Sequence, residues 1–167
     1  YAGPDYVLKL NSTTPNDSDY HEQWAPEKIQ LPQAWDITTG SNIVTVGVLD
    51  TGIQGTHPDL AENINIDLSR DFVTDSSEPI AIDAHGHGTH VAGIIGARGN
   101  NNDGISGVCW NVQLISLRVL GEDGTGFFTD IVQAINYAEE QGIQILNFSG
   151  GGYGVGDIPL YETIQNY

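Results

Sequence analysis

IVTVGVLDTG, at residues 43–52, is the most informative segment of the 167-residue chain. Its first part is β-branched and almost wholly apolar, which is typical of a strand buried on both faces. Asp50 follows at the carboxyl end of this strand, in a turn that Thr51 and Gly52 complete. Open α/β folds bind ligands at the carboxyl edge of their parallel sheet, so Asp50 is a candidate catalytic residue. The alternative is a carboxylate that only caps the turn.

Two more segments of the same kind follow, at residues 113–120 and 142–148, and helical segments precede or separate them near 88–97 and 129–140. In the second helix the apolar residues share one face: Ile131, Val132, Ala134, Ile135 and Ala138. This alternation predicts an α/β fold with a mainly parallel sheet flanked by helices. A last helix begins near Pro159 and has no capping residue before Tyr167, so we expect a truncated version of that fold.

The composition narrows the partners that the chain can have. With 22 acidic and 5 basic residues its formal net charge is −17, which would repel the phosphate backbone of nucleic acids. No apolar stretch approaches the roughly 20 residues that span a bilayer. Cys109 is alone, so no disulfide can form within the chain, and its apolar neighbours predict a small buried hydrophobe. We therefore expect neither a nucleic-acid nor a membrane partner.

Histidines cluster around the first helix, which has the sequence HGTHVAGIIG at residues 87–96. Each of its three interior glycines costs about 1 kcal/mol relative to alanine, which favours close packing or chemistry over local propensity. His85, His87 and His90 suggest either structural histidines or a metal cluster. Zinc would need a further ligand and the general-base Glu of a His-Glu-x-x-His motif, and neither is present.

Four motifs occur together in a fixed order: VLDTGI at residues 48–53, HPDL at 57–60, HGTHVAG at 87–93 and ILNFSGG at 145–151. In order and spacing they resemble the subtilase family of serine proteases, over about residues 24–155. Residues 28–36, KIQLPQAWD, place the closest likeness in its thermitase branch. The resemblance implies a three-layer subtilisin-like fold.

The resemblance also implies catalytic roles. His87 corresponds to the general base and later the general acid, and Asp50 to the carboxylate that orients its imidazole. The family's nucleophile lies in a Gly-Thr-Ser-x-Ala motif and its oxyanion-hole Asn in an Ala-Gly-Asn segment, and the 167 residues contain neither. We therefore expect the chain to be inactive by itself.

Substrates of this family pair with exposed strand segments as an extended peptide. The matching positions form two glycine-rich segments: Gly124, Thr125 and Gly126, and Ser149, Gly150 and Gly151. Their glycines let a substrate backbone approach closely. The alternative is that both segments are simple loops.

A structural Ca²⁺ site is a further implication of the resemblance. The side chains of Asp17, Asp59 and Asn101 and the backbone positions of Arg98, Asp103 and Ile105 match the family's ligands. The alternative is a solvated Asn/Asp turn. The hypothesis of a second cation site near Asp71, Asp75 and Glu78 is weaker, because this segment has an insertion relative to thermitase.

The amino-terminal segment YAGPDYVL, residues 1–8, resembles the end of an inhibitory propeptide, which implies secretion and a maturation cut that was not made. We therefore divide the chain into a propeptide remnant at 1–10, an extension with a calcium ligand at 11–23 and the front part of a catalytic domain at 24–167.

The resemblance predicts a parent protein that is a secreted, calcium-stabilised serine endopeptidase working through an acyl-enzyme. Two alternatives remain open. One is a non-catalytic module that binds calcium and peptide, and the other is one chain of a split protease completed by a partner with the serine half. A cut sheet would expose apolar surface, so we expect self-association or a need for that partner.

Overall fold

A computed structural model describes residues 12–74, 82–151 and 158–167. Its elements, in chain order, are a 3₁₀ turn Tyr20–Glu22, α1 Ala25–Lys28, α2 Leu31–Trp35, β1 Gly40–Asp50, β2 Arg70–Asp71, α3 His87–Gly96, β3 Asn111–Arg118, α4 Phe128–Glu140, β4 Ile145–Phe148 and α5 Ile158–Asn166. The three predicted strands and the two predicted crossover helices are confirmed, with boundaries that differ by a few residues. The short elements α1, α2 and β2 were not predicted.

The four strands form one parallel sheet in the order β2-β3-β1-β4. Asp50 pairs in register with Arg118 of β3, and the preceding Leu49 pairs with Phe148 of β4. The last residues of these three strands therefore meet at one edge of the sheet. Asp50 stands at the centre of that edge.

Each face of the sheet is covered by a helix. Val48 of β1 and Leu114 of β3 pack with Ala92 of α3 in one core. Leu49 and Leu117, on the opposite face, pack in a second core with α4, which contributes Ile131, Ala134, Ile135 and Ala138. Four of the five residues predicted for the apolar face of α4 thus lie in the core, whereas Val132 is only partly buried, and the predicted three-layer α/β fold is confirmed.

The glycines of α3 allow the helix to lie very close to the sheet. A Cβ atom added at Gly96 would lie 2.6 Å from Cγ1 of Val112, and one added at Gly88 would lie 2.1 Å from the carbonyl oxygen of Gly52. Close packing is therefore the reason that this helix has glycine, a residue of low helix propensity, at positions 88 and 96.

Two expectations from composition can be compared with the described residues. In that part of the chain no helix is long and apolar enough to cross a membrane. Cys109 is half-buried against the core under α3. Burial raises the pKa of its thiol, so it is less reactive than an exposed cysteine.

Candidate active site

The structure brings Asp50 and His87 into direct contact. Nδ1 of His87 lies 2.7 Å from Oδ1 of Asp50, although the two residues are 37 positions apart. The strand β1 delivers the carboxylate to the sheet edge, and the first turn of α3 delivers the imidazole. The Asp50 side chain is buried, whereas 43% of the His87 side chain is exposed. Asp50 thus holds Nδ1 of His87 in place, and the exposed part of the imidazole remains accessible to a reacting group.

The surroundings of Asp50 fix its carboxylate. The backbone N–H of Thr51 donates to Oδ1 at 2.7 Å, while Oδ2 is buried and has no hydrogen-bond partner among the described residues. Gly88 leaves room for this carboxylate, because a Cβ atom there would lie 3.0 Å from the Asp50 Cβ. The glycine after His87 is therefore a requirement of the Asp50–His87 contact.

Asp83 was missed by the sequence analysis, and it ties the two residues together. Its Oδ1 accepts hydrogen bonds from the hydroxyl of Thr51 and from the N–H groups of His85 and Gly86. Its Oδ2 accepts from the N–H and the hydroxyl of Thr89. Burial raises the pKa of Asp83, but the hydrogen bonds from Thr89, Gly86 and Thr51 outweigh it and hold the pKa below its ordinary value. A carboxylate just before a helix is a capping signal that could have identified it.

A cleft of about 580 Å³ opens beside His87. All six predicted substrate-binding residues line it: Gly124, Thr125, Gly126, Ser149, Gly150 and Gly151. Its remaining lining residues are Thr51, His85, His87, Leu120, Asp123, Phe128, Ile131 and Phe148. The structure thus places two glycine-rich segments in the same cleft as the imidazole.

In the described part of this cleft, Asp50 and His87 form an acid–base pair, and no nucleophilic side chain is hydrogen-bonded to the His87 ring. Within the described residues, the hydrogen bond of the His87 ring is the one to Asp50. The hydroxyl of Ser149 instead accepts from the side-chain amide of Asn147 at 2.9 Å. The pair can accept and return a proton, because the carboxylate stabilises the imidazolium.

The predicted calcium ligands come together around two buried carboxylates, those of Asp17 and Asp59. The N–H groups of Asn100 and Asn101 donate to Asp17 at 2.8 and 2.9 Å. The N–H of Ile105 donates to Asp59 at 2.9 Å, and so does the side-chain amide of Asn101. The loop that contains Arg98 and Asp103 therefore wraps around both carboxylates, which are buried, while Asn101 and Asp103 of the loop itself are exposed.

The charges in this cluster are uncompensated by basic side chains. Burial raises the pKa of Asp59, and the nearby carboxylates of Asp17 and Asp103 raise it further, against the hydrogen bonds from Ile105 and Asn101. In the described residues neither Asp17 nor Asp59 forms a salt bridge. Carboxylate, amide and carbonyl oxygens are the ligands that Ca²⁺ prefers, so the residues present fit a calcium ion.

The other metal hypotheses gain no such support. Asp71 is held by Arg118 at 2.8 Å, so a protein cation already compensates its charge. Asp75 and Glu78 lie outside the described residues. Within residues 12–74, 82–151 and 158–167, no three His, Cys, Asp or Glu side chains are arranged to hold a metal. This holds for the three histidines of the zinc hypothesis and for the carboxylates of Asp17, Asp59 and Asp103 alike, so a calcium site there depends on amide and backbone oxygens as well.

Comparison with known proteins assigns the chain to a family. The model of the subtilase family, peptidase S8, matches residues 41–165. This match spans the elements that carry Asp50, His87 and both cleft segments. The chain belongs to the subtilase family, as its motifs predicted.

Two curated relatives and one solved structure illustrate the likeness. The chain is 41% identical to thermitase of Thermoactinomyces vulgaris over 91% of its own length and 53% of thermitase. It is 40% identical to a thermophilic serine proteinase of Bacillus sp. AK1, over 90% of the chain and 37% of that protein. A solved protease of Pseudoalteromonas arctica superposes with a TM-score of 0.78 at 31% identity, over 92% of the chain and 55% of that structure. The chain thus spans about half or less of the length of these relatives.

The relatives differ in the compartment that their names give. One, from Natrialba magadii, is named a halolysin-like extracellular serine protease, and another, from Bacillus subtilis, a major intracellular serine protease. Family membership by itself is therefore compatible with either compartment.

Proposed function

We propose that this chain supplies the aspartate and histidine of a Ser-His-Asp triad in a serine endopeptidase. The 2.7 Å contact between Asp50 and His87, at the edge of a parallel sheet and open to a cleft, carries the proposal. His87 would take the proton of a serine hydroxyl and return it to the leaving amine. Asp50 would hold the imidazole in the required tautomer and stabilise the imidazolium. Hydrolysis would then proceed through an acyl-enzyme.

The substrate in this proposal is an extended polypeptide. Gly124–Gly126 and Ser149–Gly151 both line the cleft, so an extended peptide in the cleft would run beside the backbone of both segments. Side chains at these positions would hold the peptide backbone away, which is the physical reason for the glycines.

The test is hydrolysis of a peptide anilide by the chain alone and by a fusion. In the fusion, the part of thermitase that follows the matched region is joined to Tyr167. We expect activity from the fusion and none from the chain alone. His87→Ala should reduce the kcat of the fusion at least a thousandfold, since the general base is lost. His90→Ala is the matched control, because His90 is exposed and lies one helical turn away. An active His87→Ala fusion would refute the proposed role.

We also propose that the cluster of Asp17 and Asp59 binds one structural Ca²⁺. Asn101 would add a side-chain oxygen, and Arg98, Asp103 and Ile105 would add backbone carbonyls. The ion would neutralise the two buried carboxylates and hold the loop against the amino-terminal segment. A ligand that binds only the folded state stabilises it by about 2.7 kcal/mol at 100 times its Kd.

Calorimetry tests this calcium site. Ca²⁺ should bind the chain with one site per molecule and raise its Tm, and EGTA should reverse the rise. Asp59→Asn should abolish both effects, whereas Asp67→Asn, at an exposed carboxylate elsewhere, should leave them intact. Equal Ca²⁺ binding by the Asp59→Asn variant would contradict the assignment.

Secretion and a protein partner complete the proposal. The likeness of residues 1–8 to a propeptide end supports secretion, and those residues lie outside the described part of the chain. Recovery of the natural gene product from culture medium tests it. An apolar groove beside β4 supports a partner surface that receives either a serine-bearing segment or a second copy.

A further inference from the structure

The cleft beside His87 carries one carboxylate on its wall. Among its described lining residues Asp123 is the sole Asp or Glu, and neither Lys nor Arg is present. Asp123 is exposed and directly precedes Gly124, the first residue of the glycine-rich segment. A ligand in the cleft therefore meets a single fixed negative charge, at one end of the segment with which a peptide would pair.

Local hydrogen bonds hold this carboxylate in place. The N–H and the hydroxyl of Thr125 donate to its Oδ1 at 3.0 and 2.8 Å. These two hydrogen bonds, and then the nearby His85, hold the pKa of Asp123 below its ordinary value. No Lys or Arg of the described residues forms an ion pair with it. Within the described residues the carboxylate is thus ionised, positioned and in no ion pair, with the imidazole of His85 nearby.

Gly124 places the wall of the cleft directly beside Asp123. It has a φ of 74°, and a Cβ atom there would lie only 3.2 Å from Nε2 of His85, so a side chain at this position would crowd the cleft. A peptide that passes Gly124 in the cleft therefore runs within side-chain reach of the Asp123 carboxylate. Phe128 lies in the same cleft and offers apolar surface to the methylene stem of a long side chain.

We propose that Asp123 binds a Lys or Arg side chain of the substrate, so that the cleft selects polypeptides with a basic residue at the position that passes Gly124. This inference rests on the proposed peptide-binding function of the same cleft. A charge pair at an exposed site changes affinity by a small factor, about threefold. Its signature is dependence on position, because the net charge of −17 attracts a cation at every position of a peptide alike.

Binding of hexapeptides to the 167-residue chain tests the inference without requiring catalysis. Each peptide is polyalanine with one Lys or one Gln, placed in turn at every position, and Kd is measured by NMR titration. We expect Lys to bind about threefold more tightly than Gln at one position, and 1 M NaCl to remove the difference because the Debye length falls to about 3 Å. Asp123→Asn should remove the preference and leave the Gln peptides unaffected.

Glu122→Gln is the matched control, because it removes the same charge from the neighbouring residue, which does not line the cleft. It should keep the preference for Lys. Equal binding of Lys and Gln peptides would overturn the inference and leave the peptide cleft intact. Two further outcomes would also overturn it: an equal gain in affinity from Lys at all peptide positions, or an equal loss of the Lys preference in the Asp123→Asn and Glu122→Gln variants. In either case the net charge would explain the result. Failure of every peptide to bind would overturn the peptide cleft as well.

Discussion

At the scale of single residues, the contact between Asp50 and His87 depends on neighbours that take no part in proton transfer. Asp83 joins the turn after β1 to the first turn of α3 through five hydrogen bonds. It therefore sets the distance between the two elements that carry the acid–base pair. We regard it as a positioning residue.

Asp83→Asn should impair this positioning. In the variant, the side-chain NH₂ group of the new amide would replace one carboxylate oxygen, and the N–H and O–H groups that donate to that oxygen would lose their acceptor. Each buried donor left unsatisfied costs about 1–3 kcal/mol. In the thermitase fusion we expect kcat to fall about tenfold while KM stays within a factor of two. Kinetics with a peptide anilide measures both, and Asp67→Asn is the control. An unchanged kcat would show that the contact survives without Asp83.

The glycines of α3 give a second prediction, because they differ in the space around them. A Cβ atom at Gly88 would lie 2.1 Å from the carbonyl oxygen of Gly52, whereas the nearest atom to one at Gly93 is 3.6 Å away. Gly88→Ala should therefore lower the free energy of unfolding by several kcal/mol. Gly93→Ala should change it by no more than about 1 kcal/mol and can raise it, since alanine favours helix. Urea unfolding distinguishes the two, and equal losses would contradict the packing argument.

At the scale of elements, an ion pair secures the short strand β2. The guanidinium of Arg118 in β3 donates to the carboxylate of Asp71 at 2.8 Å, and both side chains are buried. Burial raises the pKa of Asp71, but hydrogen bonds from Thr74 and Val73 and the charge of Arg118 outweigh it and lower the pKa. A two-residue strand is thus held at the sheet edge by charge as well as by its backbone.

Removal of this carboxylate should be costly in a pH-dependent way. Asp71→Asn leaves Arg118 buried without a partner, for which we expect a loss of about 3–5 kcal/mol. The folded state lowers the Asp71 pKa, so its contribution is complete above the unfolded value of about 3.9 and is lost as the pH falls through the folded value. Urea unfolding of both proteins from pH 7 to pH 3 measures this.

Glu62→Gln provides the comparison for Asp71→Asn. Glu62 pairs with Arg98 at 3.2 Å, but 73% of its side chain is exposed. An exposed pair contributes about 0–1 kcal/mol, so this substitution should have little effect at any pH. Similar losses of unfolding free energy from Asp71→Asn and Glu62→Gln would show that burial does not determine the strength of these two ion pairs.

The same contrast explains which elements were predictable from the sequence. β1 was predictable because its unbroken β-branched, apolar run is typical of a strand buried on both faces, and α4 because its buried residues recur at the period of a helix. β2 was not, because Arg70 and Asp71 have no local signal and depend on a neighbour at Arg118. Asp50 stood out through its place after a buried strand. Asp83 carries a local capping signal, but its link to the turn after β1 was not predictable, because Thr51 is 32 residues away.

At the scale of the whole molecule, the described sheet ends at β4 with apolar surface uncovered. Ile145 and Phe148 of this strand are 50% and 41% exposed, and Ile164 of α5 is 59% exposed. Together with α4 they line a groove of about 360 Å³ in which Gln144 and Tyr167 supply the polar groups. An uncovered strand edge beside an apolar groove is a surface on which another chain can add.

The 167-residue chain should therefore self-associate as its concentration rises from about 1 to 100 μM, measured by sedimentation velocity. Ile145→Lys and Ile164→Lys should each shift the chain toward monomer, because each places a charge in the groove. The fusion with thermitase should be monomeric, since we expect its added segment to cover the same surface. Ile37→Lys is the control, because Ile37 is 87% exposed and lies outside the groove. A monomer at every concentration, or equal dissociation by Ile37→Lys, would contradict an interface at β4.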